Sequence, residues 1–394
     1  MIEEKIQQAV GILKEKEIDL WLTFVRETGI MGDPMLPYIC GVGVTWQSAF
    51  IITAAGDTVA IVGQYDVANL TEEGYYEEVS GYVESIQDEL RRTIRRLDPR
   101  QIALNFHLNI ATADGLSAGM YMNLLKYLEG TPYRDRIISA APVTSALRGR
   151  KTPAEARRMR EATRLTLEIF DKVSDYIRPG RSEKEIAAFM LKEVERQGLE
   201  LAWDREHCPA VFTGPDTAGA HASPTDRQVA PGHLVNIDFG VRFEGYCADL
   251  QRTWYVMRPG ESEPPAEVKE GFRVLKGAVD KAVAVLRPGV TGREVDGAAR
   301  GHVVDNGYDP FPHGLGHQVG RAAHDGGALL GPDWEKYGET VFMPVEPGQV
   351  FTIEPRLDVP GYGIVTIEEE VWVNTEGCEY ISRPQQELWL IPAS

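Results

Sequence analysis

Two distant segments of the chain follow nearly the same pattern, and each ends on an acidic residue. Residues 231–238 read PGHLVNID, and residues 347–354 read PGQVFTIE. Both run Pro-Gly, polar, apolar, apolar, polar, Ile, acid, a pattern typical of a turn followed by a strand. A second acid follows each segment, at Asp249 and at Glu368. We therefore expect two hairpins of one kind, each presenting two carboxylates.

Another pair of similar segments precedes the hairpins. Residues 177–186 read IRPGRSEKEI, and residues 286–295 read LRPGVTGREV. In each, Arg-Pro-Gly ends one helix, and a Ser or Thr followed three residues later by Glu suits the capping box of the next. The order helix, helix, hairpin thus occurs twice, and we expect a duplicated unit from about residue 153 to residue 394.

The two hairpins together predict a metal site. Strand alternation puts Asn236 and Asp238 on one face, and hairpins facing across a pseudo-twofold axis would bring all four acids together. The segment HGLGH at 313–317 offers a histidine between them. Grouped carboxylates repel one another and are costly to bury bare. The expected ligands are Asp238, Asp249, His317, Glu354 and Glu368.

Carboxylates with one histidine suit two divalent ions, of which Mn²⁺ is the first choice and Co²⁺, Zn²⁺ and Fe²⁺ are alternatives. Ions about 3.5–4 Å apart can share and acidify a water while polarising a carbonyl, which favours amide hydrolysis. Taken singly, Asp238 is also compatible with a turn or cap, and Glu368 with a solvated acidic edge. Their occurrence within a duplicated pattern favours the metal site.

Three further histidines are candidates for the substrate side of the site. His313 and His324 lie with His317 in a glycine-rich segment, and His221 lies in the polar loop 214–226. A loop histidine is often incidental, but a donor to a tetrahedral intermediate would be useful here.

Residues 1–150 alternate helical and strand-like segments and carry no chemical motif. This alternation predicts an α/β domain. The expected helices cover 3–16, 86–97 and 113–128, and the expected strands 18–25, 48–53, 58–62 and 102–104. Thr152 and Pro153 are suited to begin a helix after a boundary near residue 150. We expect a non-catalytic domain over 1–150, used for oligomer contact and closure of the cleft, and a catalytic domain over 151–394.

The composition narrows the range of partners and cellular locations that can be expected. The formal net charge of −18 argues against a nucleic-acid partner, because phosphate binding needs a basic surface. No apolar run is long enough to span a bilayer, and no secretory signal is visible. The four cysteines are dispersed without a Cys-x-x-Cys pair, which predicts reduced thiols. A cytoplasmic enzyme is therefore expected.

At these residues the chain resembles the pita-bread metallopeptidases, which include methionine aminopeptidase, aminopeptidase P and prolidase. The resemblance covers about 150–394, and the domain before it favours the creatinase, prolidase and aminopeptidase P branch. It implies a mixed α/β (α+β) fold: a creatinase-like α/β domain followed by a pseudo-twofold duplicated pita-bread domain, usually in a homodimer. The matching motifs are IDFG at 237–240, GYCADLQRT at 245–253, HGLGH at 313–317, HD at 324–325, TIEP at 352–355 and IEE at 367–369.

The resemblance also implies a role for each candidate ligand. Asp238 would hold one metal ion, and Asp249 and Glu368 would bridge both ions. His317 and Glu354 would hold the second ion, and Glu354 would also transfer the proton of the attacking water.

The resemblance to this branch implies substrates with proline after the scissile bond, and it places the three histidines, His221, His313 and His324, beside them. Members with proline specificity commonly carry Glu-Pro-Gly and Arg-x-Glu-Asp at the last two motifs. This chain has Arg356 and Thr366 instead. The arginine that would orient a bridging acid or a substrate carboxylate is lost at Thr366, and Arg356 is the candidate to supply that charge to the substrate.

The leading interpretation is a dinuclear-metal peptidase that cuts the Xaa-Pro bond at the amino end of peptides, either dipeptides or longer ones. One alternative is a metal-dependent lyase or other hydrolase on the same fold, acting on a small molecule. Another is a catalytically inactive peptide-binding module. Metal-free creatine hydrolysis is disfavoured, because all five ligand positions carry competent side chains.

Overall fold

The computed structural model describes residues 1–217 and 223–393. The chain divides into two compact units, Met1–Arg148 and Gly149–Ser394. Among the helices in the described ranges, none combines the length and hydrophobicity that a bilayer crossing requires.

The first unit is built on a mixed sheet in the order β4-β3-β2-β1-β5-β6, in which β2 runs opposite to the other strands. In chain order, its elements are α1 (Ile2–Glu15), β1 (Leu20–Val25), α2 (Leu36–Ile39), β2 (Ser48–Thr53), β3 (Thr58–Gly63), α3 (Val67–Glu73), β4 (Glu78–Tyr82), α4 (Gln87–Leu97), β5 (Ile102–Leu104), α5 (Ala118–Tyr127), β6 (Ile137–Ser139) and α6 (Ala141–Gly149).

Helices cover both faces of this sheet, which explains why β1 is apolar without alternation. Leu20 and Leu22 belong to the core cluster that contains α4 and α5 side chains. Trp21 and Val25 belong to the cluster on the other face, with side chains of α1 and α6. The predicted strands β1, β2, β3 and β5 are confirmed, whereas the short strands β4 and β6 were not predicted.

The second unit contains the duplicated pattern. In chain order, its elements are α7 (Pro153–Tyr176), α8 (Glu183–Arg196), β7 (Glu200–Leu201), β8 (Ala210–Thr213), β9 (Leu234–Phe239), β10 (Val241–Phe243), β11 (Tyr246–Cys247), β12 (Leu250–Val256), α9 (Ala266–Val285), α10 (Gly292–Asp305), β13 (Gly316–His317), β14 (Leu329–Leu330), β15 (Val350–Ile353), β16 (Arg356–Val359), β17 (Gly363–Thr366), β18 (Glu369–Val373), β19 (Cys378–Tyr380) and β20 (Trp389–Ile391).

The two halves of this unit repeat their helix starts and their turns. Ser182 and Thr291 both form complete capping boxes, with Glu185 and Glu294, and the helices they begin are each 14 residues long. The Pro-Gly turns before β9 and β15 place Gly232 and Gly348 at φ +89° and +90°, a region that favours glycine. The repeated order helix, helix, hairpin predicted from the sequence is therefore confirmed.

Each half has its own hydrophobic core. One cluster packs α7 and α8 against β8, β9 and β12, and the other packs α9 and α10 against β15 and β18. The acids of the two hairpins lie on, or directly beside, strands that are anchored in these cores. The four cysteines are unpaired, as predicted.

Candidate metal centre

The first hairpin supplies Asp238 and Asp249. Strands β9 and β12 pair antiparallel, with Asp238 opposite Gln251. Val235, Ile237 and Phe239 are buried in the core with α7 and α8, so alternation turns Asp238 to the other face. On the return side of this hairpin, β11 ends at Cys247 and β12 begins at Leu250, and Asp249 lies in the break between them.

The second hairpin is interrupted in the same way at its acids. Glu354 lies between β15 and β16, and Glu368 lies between β17 and β18. The N–H of Glu354 donates to the carbonyl of Leu315 at 2.8 Å, and the N–H of Glu368 donates to the carbonyl of Gln251 at 3.2 Å. These bonds join the second hairpin to the HGLGH segment and to the first hairpin.

His317 reaches the acids from the short strand β13. Its N–H donates to Oγ1 of Thr352 at 3.0 Å, which fixes it beside β15. Its Nε2 lies 3.3 Å from Oε1 of Glu354 and 3.8 Å from Oδ2 of Asp249. The histidine therefore connects one acid from each hairpin.

The ligand atoms converge closely enough to share a cation. One donor atom from each of Asp249, His317 and Glu368 lies within 4.8 Å of the other two. Asp238 Oδ1 and Glu368 Oε2 are buried and have no hydrogen-bond partner among the residues that the structure describes. Buried oxygens without partners are costly, and a metal ion would satisfy them. The residues present thus fit the ions expected from the sequence.

The electrostatics of the acids lead to the same conclusion. Burial, reinforced by neighbouring carboxylates, raises the pKa of Asp238, Asp249 and Glu368 well above their ordinary values. Burial also acts to raise the pKa of Glu354, but the hydrogen bond and charge of His317 lower it below its ordinary value. The cluster is therefore short of positive charge, with Glu354 the acid most readily ionised.

The other candidate histidines, where the structure describes them, lie in different surroundings. The ring of His324 packs edge-on against His317, with 4.2 Å between ring centres. Nδ1 of His313 lies 2.7 Å from the carbonyl oxygen of Gly314. Burial lowers the pKa of His313, and the charges of Arg356 and Arg300 act in the same direction. His221 lies outside the described residues.

The two positions that depart from the family motifs face each other. Arg356 in β16 pairs with Thr366 in β17. Thr366 is buried, and its hydroxyl donates to Oδ1 of Asn236 at 3.2 Å. The Arg356 side chain is 25% exposed and lies 3.5 Å from Oδ1 of Asp358. Thr366 is thus part of a neutral polar network, whereas Arg356 keeps a partly accessible charge.

Several residues that support the ligands were given no role from the sequence, although Gln251, Arg252 and Glu369 lie within the matching motifs. Nε2 of Gln251 donates to Oε2 of Glu354 at 3.5 Å. The buried Arg252 donates to the carbonyls of Gln251 and Glu368, and it pairs with Glu369 at 3.0 Å. Arg252 thus ties together the two strand segments that meet at the site.

Glu370 supports the first hairpin. Its Oε1 accepts the N–H of Asp249 at 3.0 Å, and its Oε2 lies 2.6 Å from the hydroxyl of Thr163. Burial raises the pKa of Glu370 to about 8. The run Glu368–Glu370, which also suited a solvated edge, is buried throughout, so the solvated interpretation is wrong.

Comparisons with known proteins agree with this geometry. The sequence pattern of metallopeptidase family M24 matches residues 157–375. An uncharacterized peptidase of Staphylococcus saprophyticus is 26% identical over 385 residues, which cover 96% of this chain and 99% of that protein.

Two solved structures share the fold over nearly the whole chain. An Xaa-Pro dipeptidase from Bacillus anthracis superposes with a TM-score of 0.75 at 25% identity, covering 99% of this chain and 100% of that one. An X-Pro aminopeptidase from Thermotoga maritima superposes with a TM-score of 0.72 at 24% identity, covering 98% and 99%. These likenesses confirm the predicted fold class, and the family match covers both hairpins and the histidine between them. The chain therefore belongs to metallopeptidase family M24.

Proposed function

We propose that this protein is a dinuclear-metal peptidase that hydrolyses the Xaa-Pro bond at the amino end of short peptides. The convergence of Asp249, His317 and Glu368 around a shared position carries this proposal, together with buried oxygens on two acids that have no partner within the described ranges. The likeness to the Xaa-Pro dipeptidase at 25% identity supports the choice of bond.

The two hairpins and His317 would hold the ions. Asp238 would bind one ion and Asp249 and Glu368 both, while His317 and Glu354 would bind the second. Divalent ions in such a site supply, when bound, an acidified water and a Lewis acid for the substrate carbonyl. Mn²⁺ is the first ion to test, ahead of Co²⁺, Zn²⁺ and Fe²⁺, because carboxylate-rich sites suit it.

Glu354 is the residue suited to move the proton. Its lowered pKa keeps it as a carboxylate at neutral pH, so it can accept the proton of the attacking water. Amide cleavage needs that proton on the departing nitrogen, and the same carboxyl can return it there.

His313 would bind the substrate as a hydrogen-bond acceptor. The Gly314 carbonyl can only accept, so Nδ1 of His313 carries the hydrogen between them. A ring with a lowered pKa is neutral at pH 7, which leaves Nε2 as an acceptor for a substrate N–H. His324 and His221 remain proposed for the carbonyl side, where the transition state gains negative charge.

Arg356 would favour substrates that end soon after the proline. Its guanidinium is partly exposed, and its charge helps to lower the pKa of His313. A guanidinium binds a terminal carboxylate strongly. A dipeptide or a tripeptide is therefore the proposed substrate.

We also propose a homodimer that uses the first unit. Apolar side chains are exposed in the connections at one end of its sheet: Ile30, Trp46, Tyr65, Val83 and Leu108. Exposed apolar groups of this kind mark protein contacts. Sedimentation velocity tests the dimer, and a monomer at micromolar concentration would contradict it.

Product analysis by mass spectrometry tests the activity. Mn²⁺-loaded protein and metal-free protein are incubated with Ala-Pro, Ala-Pro-Ala and Ala-Ala-Ala. Release of alanine from the proline peptides by the loaded protein alone is expected. No cleavage by protein that holds two ions per chain would reject the peptidase. It would favour a metal-dependent enzyme for another small molecule, an alternative that the loss of the family arginine at Thr366 supports.

A further inference from the structure

The segment from Phe311 to Leu315, which carries His313, is anchored to one helix at both ends. Arg300 on α10 donates to the backbone carbonyls of Phe311 and His313, the second at 2.7 Å. Asp296, one turn earlier on α10, accepts the N–H of Leu315 at 3.1 Å. Three backbone groups of this short segment are thus held by two side chains.

Asp296 and Arg300 also fix each other. Nε and one Nη of Arg300 donate to the two oxygens of Asp296, both at 2.7 Å. Asp296 is 1% exposed, and the guanidinium lies 3.9 Å from the ring centre of Phe311. Bidentate pairs of this kind impose geometry as well as energy, so the pair offers its donors and its acceptor in a rigid arrangement.

The anchored segment leads directly to the site. Gly314 accepts the Nδ1 hydrogen of His313 through its carbonyl, and its N–H donates to the hydroxyl of Tyr337 at 2.8 Å. The carbonyl of Leu315 accepts the N–H of Glu354 at 2.8 Å. The orientation of the His313 ring therefore depends on a peptide group whose neighbours on both sides are held by α10.

We propose that Asp296 and Arg300 are positioning residues for His313. They hold the 311–315 segment so that the imidazole keeps Nδ1 on the Gly314 carbonyl and Nε2 available to the substrate. The role rests on the proposed function, which assigns His313 to the substrate. Neither residue touches a reacting group, and both act through the backbone of the segment.

Conservative substitutions distinguish a positioning role of Asp296 and Arg300 from a role in helix packing alone. In Arg300→Lys the charge remains, but an ammonium cannot make the bidentate pair and both carbonyl bonds together. Asp296→Asn keeps the size of the side chain and removes one of the two oxygens that accept hydrogen bonds from the guanidinium. Arg293→Lys is the matched control, because Arg293 is exposed on the same helix two turns earlier.

The first test is steady-state kinetics with Ala-Pro on the Mn²⁺-loaded proteins. We expect kcat to fall about 10- to 100-fold in Arg300→Lys and Asp296→Asn, the range caused by small misplacement of a catalytic group. Mn²⁺ affinity, measured by calorimetry, should stay unchanged, as should kcat of Arg293→Lys. Unchanged kcat in both variants would overturn the proposal, and so would a fall in kcat that accompanies loss of Mn²⁺ binding.

A double-mutant cycle shows whether the effect passes through His313. In a His313→Ala background, Arg300→Lys should cost nothing further in kcat, because residues acting as a unit are not additive. An equal cost of Arg300→Lys in both backgrounds would instead assign Arg300 a general structural role and overturn the proposal.

The imidazole nitrogen signals of His313 give a readout that does not need turnover. In ¹⁵N-histidine spectra, assigned with His313→Gln, the wild type should show a hydrogen on Nδ1, and Arg300→Lys a mixture of tautomers. If the wild type cuts no Xaa-Pro peptide, the proposed function fails by itself. Identical His313 signals in Arg300→Lys and the wild type would overturn the positioning role separately.

Discussion

Nε2 of His317 lies 3.3 Å from Oε1 of Glu354, so two ligands proposed for the same ion contact each other directly. The contact lowers the pKa of Glu354, whereas burial raises the pKa of Asp238, Asp249 and Glu368. Without cations, the buried acids therefore keep their protons to a higher pH than free carboxyl groups do, and the histidine keeps its contact with Glu354. A cation must displace both.

Metal binding should release protons, and the metal should therefore stabilise the protein more as pH rises. Acids whose folded pKa is raised stabilise the fold below their ordinary pKa of about 4, and this contribution is lost as pH rises through the folded pKa. The melting temperature of the metal-free protein should therefore fall from pH 5 to pH 8, and Mn²⁺ should raise it most at pH 8.

Calorimetry in two buffers of different ionisation enthalpy measures the protons released, and thermal scans from pH 5 to pH 8 measure the stability. Asp249→Asn is the matched variant, because it removes one of the crowded charges. Metal-free Asp249→Asn should melt above the metal-free wild type at pH 8 but gain nothing from Mn²⁺. A wild type that takes up Mn²⁺ without proton release would contradict this account.

Glu354→Gln should abolish most turnover. The amide cannot accept the proton of the attacking water, and loss of a general base costs about 10²–10⁴-fold in kcat. Because Glu354 is also a proposed ligand, the assay needs metal content measured on the same sample. Glu376→Gln, at an exposed site, serves as the control. Near-normal kcat in metal-loaded Glu354→Gln would assign the proton transfer elsewhere.

The sequence predicted those parts of the fold that depend on local signals. The helix from Pro153 to Tyr176 begins at the predicted cap, since Thr152 and Glu155 form a capping box and Pro153 follows at the first position. The edge strand Glu78–Tyr82 was missed, because none of its residues is buried and Val79 is its single aliphatic residue. It forms only where β3 offers a parallel partner.

The same distinction between local sequence signals and tertiary contacts applies to the residues of the candidate site. Asp238 and Glu354 could be found because a repeated pattern marks them, and the structure brings Glu354 within 3.3 Å of His317. The break that isolates Asp249 was not foreseen, since it depends on the bond from its N–H to Glu370. The spacing between Asp296 and Arg300 is common on helices. Only their tertiary contacts with the 311–315 segment distinguish them from other charged pairs.

The buried pair of Arg252 and Glu369 should be essential for the stability of the fold unless both members are replaced. Arg252→Met leaves a buried carboxylate without its partner, which costs about 3–5 kcal/mol in the free energy of unfolding. The double variant Arg252→Met/Glu369→Leu should recover part of this loss. Urea unfolding of the wild type, Arg252→Met, Glu369→Leu and the double variant measures this loss and its recovery. An Arg252→Met variant as stable as the wild type would show that the pair contributes nothing net.

Arg356→Ala should weaken the binding of substrates that end in a free carboxylate. Charge-assisted hydrogen bonds contribute about 1.5–3 kcal/mol, so KM for Ala-Pro should rise about 10- to 100-fold. KM for the same dipeptide with a carboxy-terminal amide should stay unchanged. The reaction at the Xaa-Pro bond is not altered, so kcat for both substrates should also stay close to that of the wild type.

Asp358→Ala provides the complementary variant, because Asp358 lies 3.5 Å from the Arg356 guanidinium and competes with a substrate carboxylate for it. Its KM for Ala-Pro should be equal to or lower than that of the wild type, opposite in direction to Arg356→Ala. Equal KM values for the free acid in Arg356→Ala and the wild type would remove Arg356 from the substrate site. Carboxylate recognition would then have to come from outside β16, because Thr366, its partner in β17, is buried and uncharged.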